Sequence, residues 1–376
     1  MSQYELEIPD NQQEDEDDLD KKISFKESVV MNADWTIETI DSQINKGNIN
    51  LEPSFQRRGA WDDTRKSRLI ESIIVGMPVP NIVLAEQKKH RGRFIVIDGK
   101  QRLITINDFL SGKFRLKGLD IRPELNNLDY SGLPSEDSEY LDNSTLRSTV
   151  IRGWKDESFL YAIFYRLNSG SLQLSPQELR KALIGGKLLD EIEEYLLNSK
   201  PFQALFGTLL DKRMRDSELV LRFIAYNRCI ENYNGNFKEF LDKTVEYYEK
   251  DWGNLKQEAK GSLNSLDLAL ETTLNVFGEN SFKKWLGVKY ERVINRAIFD
   301  CIARFFSDPA LTNLFLSNKS GIEKAFQQLC LLQGFRDSVE KTTKTTGATH
   351  TRIDMWGQLL ANVIGRQYDN VTRRII

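Results

Sequence analysis

The residues of this chain best suited to chemistry are Asp98, Gly99, Lys100, Gln101 and Arg102. They follow the apolar run Phe94-Ile95-Val96-Ile97, and Leu103, Ile106, Phe109 and Leu110 recur after them at helical spacing. The pattern predicts a strand, a tight turn and a helix whose first turn carries Lys100, Gln101 and Arg102. A helix start presents unpaired backbone N–H groups at the positive end of its dipole. Two cations at that end suit a phosphate or another anion. Gly99 would supply a positive φ or let a ligand approach the backbone. Asp98 would cap the helix or help hold a metal through water. The same five residues would equally make a plain turn ahead of a solvated helix start.

Three further groups carry candidate chemistry. Pro53-Ser54-Phe55-Gln56-Arg57-Arg58, followed by Trp61, sets two cations beside two aromatics. Arg57 and Arg58 would grip a phosphate or stack on a base, unless Phe55 and Trp61 are core and the arginines solvated. Arg166-Leu167-Asn168-Ser169-Gly170 puts an amide, Asn168, where a helix breaks. Ser175-Pro176-Gln177-Glu178 then reads as a capping box, so Glu178 has a structural use beside any functional one. Lys212-Arg213-Met214-Arg215 precedes a helix near Ser217. There Lys212, Arg213 and Arg215 would touch a nucleic-acid backbone, or form a solvated turn.

Composition removes several classes. His90 and His350 are the only histidines among 376 residues. A zinc site of His and Cys lacks a ligand cluster, a His-Asn-His nuclease motif is absent, and a Ser-His-Asp or Cys-His arrangement would need one of two isolated histidines to sit correctly. A Walker phosphate loop is missing, and Gly185-Gly186-Lys187 reads as a helix end. Cys229, Cys301 and Cys330 have no paired spacing and read as reduced core residues. No apolar run approaches bilayer length and no signal-peptide pattern opens the chain, so the expectation is a cytoplasmic protein without a membrane partner. Net charge is -3, but Glu14 to Asp20 concentrates acid in the first 24 residues. That stretch reads as a disordered acidic tail, which leaves the remainder mildly basic.

The positioning elements can be read as far as residue 195. Asn48 to Ser54 reads as a short strand. Asp62 or Asp63 would cap a helix carrying Leu69, Ile70, Ile73 and Ile74 on one face, stopped by Gly76. Met77-Pro78-Val79-Pro80 forces an extended connection into an apolar strand over 82–86, paired as a hairpin with 93–97. Residues 117–149, rich in Pro, Asn, Asp, Ser and Gly, read as a long loop or irregular insertion. The expected fold is α+β: a tail over 1–24, a domain with a small mixed sheet over 25–195, and a mostly α-helical domain over 196–376.

Four motifs in order resemble a known family: Phe-Gln-Arg with Trp61, Gly76-Met77-Pro78-Val79-Pro80, Ile97-Asp98-Gly99-Lys100-Gln101-Arg102, and Phe164-Tyr165-Arg166-Leu167-Asn168-Ser169-Gly170 with Glu178-Leu179-Arg180. Residues 30 to 235 resemble the N-terminal domain of GmrSD-type, modification-dependent restriction systems, whose fold is ParB-like (sulfiredoxin-like). The resemblance implies bacterial defence against phage and other foreign DNA. It also implies binding and hydrolysis of a nucleoside triphosphate with Mg²⁺, through an Asp-Gly-Gln-Gln-Arg motif. By that likeness Asp98, Gln101, Arg102 and Glu178 are the catalytic candidates. Gly99, Lys100, Arg57, Arg58 and Asn168 would bind nucleotide, and Asp98 and Glu178 would place the metal. Here Lys100 replaces the motif's first glutamine, which keeps a donor for phosphate but removes an amide that could orient water. The His-Asn-His nuclease of many relatives does not follow. The expected function is therefore a nucleotide-dependent switch in a DNA-directed defence system, with DNA, a separate nuclease subunit and a second copy of the chain as partners. The alternatives are a ParB-like nuclease acting directly and a non-catalytic DNA-binding or adaptor protein.

Overall fold

The computed structural model describes residues 28–51, 61–88, 90–155, 159–163, 175–211, 213–341 and 343–376. The acidic tail lies outside them. The chain forms two compact units that divide between residues 173 and 174, where the sequence reading draws its line at 195. The fold is α+β, with the sheet in the first unit and a helical second unit.

The first unit runs β1 (Val29–Thr36), α1 (Ile37–Asn45), β2 (Ile49–Asn50), α2 (Asp63–Ile74), β3 (Ile82–Gln87), β4 (His90–Asp98), α3 (Lys100–Leu110), α4 (Ser135–Asn143) and β5 (Thr145–Arg152). The strands form one mixed sheet in the order β1-β5-β3-β4-β2. β3 and β4 are antiparallel, β3 and β5 parallel, and β1 and β5 antiparallel. Ile82–Ala85 and Phe94–Ile97 are buried on both faces, which is why these strands read as continuous apolar runs without alternation. Ile82, Leu84, Phe94, Val96, Leu146 and Val150 share a core with the apolar faces of α1, α2 and α3. The β3–β4 ladder carries a register shift between Val83 and Leu84 and another between Glu86 and Gln87.

This topology gathers several chain ends at one end of the sheet. Val83 pairs with Asp98, Ile82 with Ser148, and Thr36 with Thr145. The starts of β3 and β5, the ends of β1 and β4, and the starts of α1 and α3 therefore lie together. α1 is capped by Thr36, whose side chain accepts from the Thr39 N–H, and α2 by Asp62, which accepts from the Arg65 N–H. The start of α3 has no side-chain cap and no acid in its first turn.

The segment 117–149 departs from the expected long loop. It holds two 3-10 turns (Pro123–Leu125 and Tyr130–Gly132), α4, and the first half of β5, an inner strand of the sheet. Leu146, Ser148 and Val150 are buried at alternate positions of β5, a period of two that lay beneath the polar composition. The expected strand over 48–54 is confined to Ile49–Asn50 among the described residues.

The second unit contains α5 (Pro176–Leu183), α6 (Lys187–Asn198), α7 (Lys200–Phe206), α8 (Arg215–Cys229), α9 (Phe237–Lys250), α10 (Trp252–Phe277), α11 (Arg296–Phe306), α12 (Thr312–Ser317), α13 (Lys319–Leu331), α14 (Gln333–Glu340) and α15 (Thr346–Ile364). A two-stranded ribbon, β6 (Tyr368–Asp369) and β7 (Arg374–Ile375), ends it. All three cysteines are free and buried in this unit. Burial pushes their thiols upward, that of Cys330 to about 12, so none is poised as a thiolate.

α8 is buried along nearly its whole length, including its charges. Arg222 binds both oxygens of Asp300 on α11, Nε at 3.0 Å and Nη2 at 2.5 Å, and its guanidinium lies 4.3 Å from the Phe237 ring centroid. Arg352 on α15 reaches the same carboxylate at 3.4 Å. Asp300 thus neutralises two buried guanidinium groups and ties three helices. Removing it would take the bidentate partner from Arg222, leaving Glu218 at 3.4 Å, and the described carboxylate from Arg352, a loss of about 3–5 kcal/mol for a broken buried pair. Asp300→Asn should lower the unfolding free energy of the helical unit, read by urea titration, by that amount. An exposed control, Glu194→Gln, should leave it within about 0.5 kcal/mol of wild type.

Candidate functional site

The site is built from the Asp98–Arg102 segment. β4 delivers Asp98 to the shared end of the sheet, and Gly99 turns the chain into α3 at φ +93°. A Cβ at Gly99 would lie 2.5 Å from Ile82 Cγ2, so both the backbone angle and the space exclude other side chains. The cap of α3 is Gly99 and not Asp98, which corrects the capping role expected for Asp98. Instead its Oδ2 accepts from Arg102 Nη2 at 2.8 Å, and the same nitrogen donates to the Asn81 carbonyl at 2.9 Å. Arg102 thereby joins the end of β4, the start of β3 and the first turn of α3.

Arg102 is only 8% exposed, and its Nε has no hydrogen-bond partner among the described residues. A buried, unsatisfied N–H costs about 1–3 kcal/mol, and a charged donor more. Gln101 is also committed in part, since its Oε1 accepts from the Trp61 N–H at 3.1 Å. Its amide N–H groups remain as donors. Lys100 occupies the first helical position and is half-buried. The assembled chemistry is donor-rich: helix-start backbone N–H groups, an amide, an ammonium and part of a guanidinium, with one carboxylate that is already paired.

Beside this segment lies a cleft of about 600 Å³ lined by Met77, Pro78, Asn81, Tyr140, Asn143 and Arg147. Asn81 belongs to both, since its carbonyl holds Arg102. The Gly76-Met77-Pro78-Val79-Pro80 motif forms one wall. Gly76 has φ +73°, and a Cβ there would lie 2.8 Å from the Tyr140 hydroxyl. Neither the cleft nor Asn81 stood out in the sequence. The extended Pro-x-Pro connection was legible, but its partner Tyr140 comes from a distant helix.

Of the remaining candidates, Arg57, Arg58, Asn168 and Lys212 lie outside the described residues. Glu178 belongs to the helical unit and completes the capping box. Its Oε2 accepts from the Ser175 N–H at 2.6 Å, and Ser175 Oγ accepts from the Glu178 N–H at 3.1 Å. Arg213 and Arg215 form a structural turn. Their N–H groups donate to Asp211 Oδ1 at 2.9 and 3.0 Å, and Met214 between them is fully buried in the left-handed region. At 7% exposure, Arg215 cannot present its charge to a nucleic-acid backbone, which corrects that expectation. The polar spacing was right, but Asp211 internalises the turn. No group of three or more His, Cys, Asp or Glu able to hold a metal occurs among the described residues. No helix among them is long and apolar enough to cross a membrane.

Residues 37–185 match the family model described as GmrSD restriction endonuclease, N-terminal domain. The match runs from the start of α1 to just past α5 and includes the whole Asp98–Arg102 segment. This region is thus similar to the GmrSD-type N-terminal domain. No curated protein and no solved structure matches the chain. Because Gly99 is fixed by angle and space together, Gly99→Ala should destabilise the first unit by about 1–3 kcal/mol. Thermal unfolding compared with Gly47→Ala, a left-handed glycine with open space around it, will separate steric crowding from backbone angle.

Proposed function

We propose that the first unit binds a nucleoside triphosphate at the start of α3 and serves as the nucleotide-dependent switch of a DNA-directed, restriction-type defence system. The observation that carries this reading is the buried Nε of Arg102, which has no acceptor among the described residues, beside a helix start without a side-chain cap. A phosphate oxygen would satisfy the helix-start donors directly, and Arg102 Nε once a neighbouring side chain moves to uncover it. Lys100 and the backbone N–H groups after Gly99 would hold the phosphates. The Gln101 amide would add a further donor. The neighbouring cleft is large enough for the base and sugar, with Tyr140 and Asn143 as its aromatic and amide surfaces.

Catalysis of hydrolysis in this reading is positional and electrostatic, as phosphoryl transfer generally is. Asp98 alone does not make a metal cage, since one oxygen is held by Arg102. Mg²⁺ would arrive with the triphosphate, largely coordinated by phosphate oxygens and water, and would neutralise phosphate charge there. The capped Glu178 is not required by this scheme. In this reading DNA cutting is carried out by a separate nuclease subunit.

The test is a titration with fluorescent analogues of the four ribonucleoside triphosphates. Saturable binding of at least one by wild type is expected. Lys100→Ala should weaken it about tenfold, the removal of one charge-assisted hydrogen bond worth about 1.4 kcal/mol. Arg102→Ala should weaken it further, because it also releases Asp98 and Asn81. Absence of binding in wild type, or equal binding by wild type and Lys100→Ala, removes the proposal.

A further inference from the structure

The opposite end of the sheet carries a feature that the nucleotide reading leaves unused. β4 spans about 27 Å, at 3.3–3.4 Å per residue, between Asp98 and the hairpin that joins it to β3. At that hairpin Lys88, His90, Arg91 and Arg93 are all exposed. Arg152, at the end of the parallel neighbour β5, and Lys155 just beyond it add two more cations. Arg91 and Arg93 have no ion pair with any described residue. Among the described residues of this hairpin and its neighbouring strand ends, the acid is Glu86, and it is engaged. Its Oε1 accepts from the Gly92 N–H at 2.9 Å, and its Oε2 lies 3.8 Å from Arg152 Nε. Lys89, Asp156 and Glu157 lie outside the described residues. Arg91 and Arg93 thus carry charge that no described acid offsets, in a chain whose net charge is -3.

We infer that this hairpin end of the sheet, centred on Arg91 and Arg93, is the surface that meets the phosphate backbone of duplex DNA. Arg91 and Arg93 flank Gly92, whose φ of +79° breaks the regular ladder between the Glu86–Phe94 and Gln87–His90 pairs, so both cations are carried on an exposed bulge of the hairpin. The hairpin is fixed in place rather than loose. Trp154 is buried beneath it, donates from Nε1 to the Glu86 carbonyl at 2.7 Å, and carries Lys88 Nζ 4.6 Å above its ring. Cations on a braced ribbon lose little conformational entropy on binding, and arginine offers a planar fork for phosphate. Contacts of this kind to backbone phosphate position a duplex without carrying sequence information.

This inference rests on the DNA-directed part of the proposed function and is independent of the nucleotide site. The test is fluorescence anisotropy of the full chain on a labelled 30-base-pair duplex across a salt series, without nucleotide. Arg91→Ser/Arg93→Ser should weaken binding about tenfold or more at low salt. It should also lower the magnitude of the log affinity against log salt slope by about 1.8, at about 0.9 for each phosphate no longer neutralised. Arg91→Lys/Arg93→Lys, which keeps the charge, should retain most of the affinity. Duplex binding unchanged in the serine variant overturns the inference, as does loss of binding to phosphatidylserine vesicles with duplex binding intact. Failure of wild type to bind duplex overturns it too, and the triphosphate titration then decides separately whether the nucleotide switch survives.

Discussion

The interaction on which the first unit depends is the fork at Arg102. One guanidinium nitrogen holds both the Asp98 carboxylate and the Asn81 carbonyl, so a single side chain clamps the end of one strand to the start of its neighbour. The clamp sits at the first turn of a helix, where backbone N–H groups have no partners within the helix. Any residue at position 99 other than glycine would collide with Ile82 and crowd the clamp. The arrangement therefore fixes donors at a helix start while consuming only part of the arginine. Arg180 of the helical unit is more fully engaged, with Nε on Asp242 and Nη1 on Gln177, whereas Arg352 there resembles Arg102 in having a buried Nε without a hydrogen bond.

Much of the first unit was legible because its signals are local. The Asp62 cap, the stop at Gly76 and the strand–glycine–helix passage at 94–110 each depend on residues close in sequence, as does the capping box at Ser175 in the second unit. What escaped depends on residues far apart. β5 was hidden in a polar stretch because its exposed positions, such as Arg147 and Thr149, face neighbours that only the sheet supplies. The basic character of 212–215 was plain, but nothing local announced that Asp211 would turn Arg215 inward. The use of Arg102 as a clamp required knowing that Asn81 ends beside it, which is a matter of strand order. The hairpin at 88–93 read as a polar loop, and its charge became meaningful only with Arg152 and Lys155 brought alongside.

The helical unit is organised differently. Its core is crossed by buried ion pairs, with Asp300 joining Arg222 and Arg352, and Glu218 facing Arg222 and Arg296. Such pairs add little net stability beyond what apolar side chains of the same volume would give, but each is costly to break singly. They make helix packing specific, since a guanidinium moved by one helical turn would be left without its carboxylate. This explains why periodic apolar spacing located these helices without disclosing any chemistry in them.

The two register shifts in the β3–β4 ladder have a mechanical meaning. One lies beside Val83, next to the Asp98 pairing, and the other beside Gln87, next to the basic hairpin. Each bulge locks the relative phase of the two strands where it occurs. A ribbon pinned near both extremities cannot ratchet lengthwise. If ligand occupancy at one extremity is ever felt at the other, β4 must convey it by tilting or twisting as a stiff lever, not by sliding.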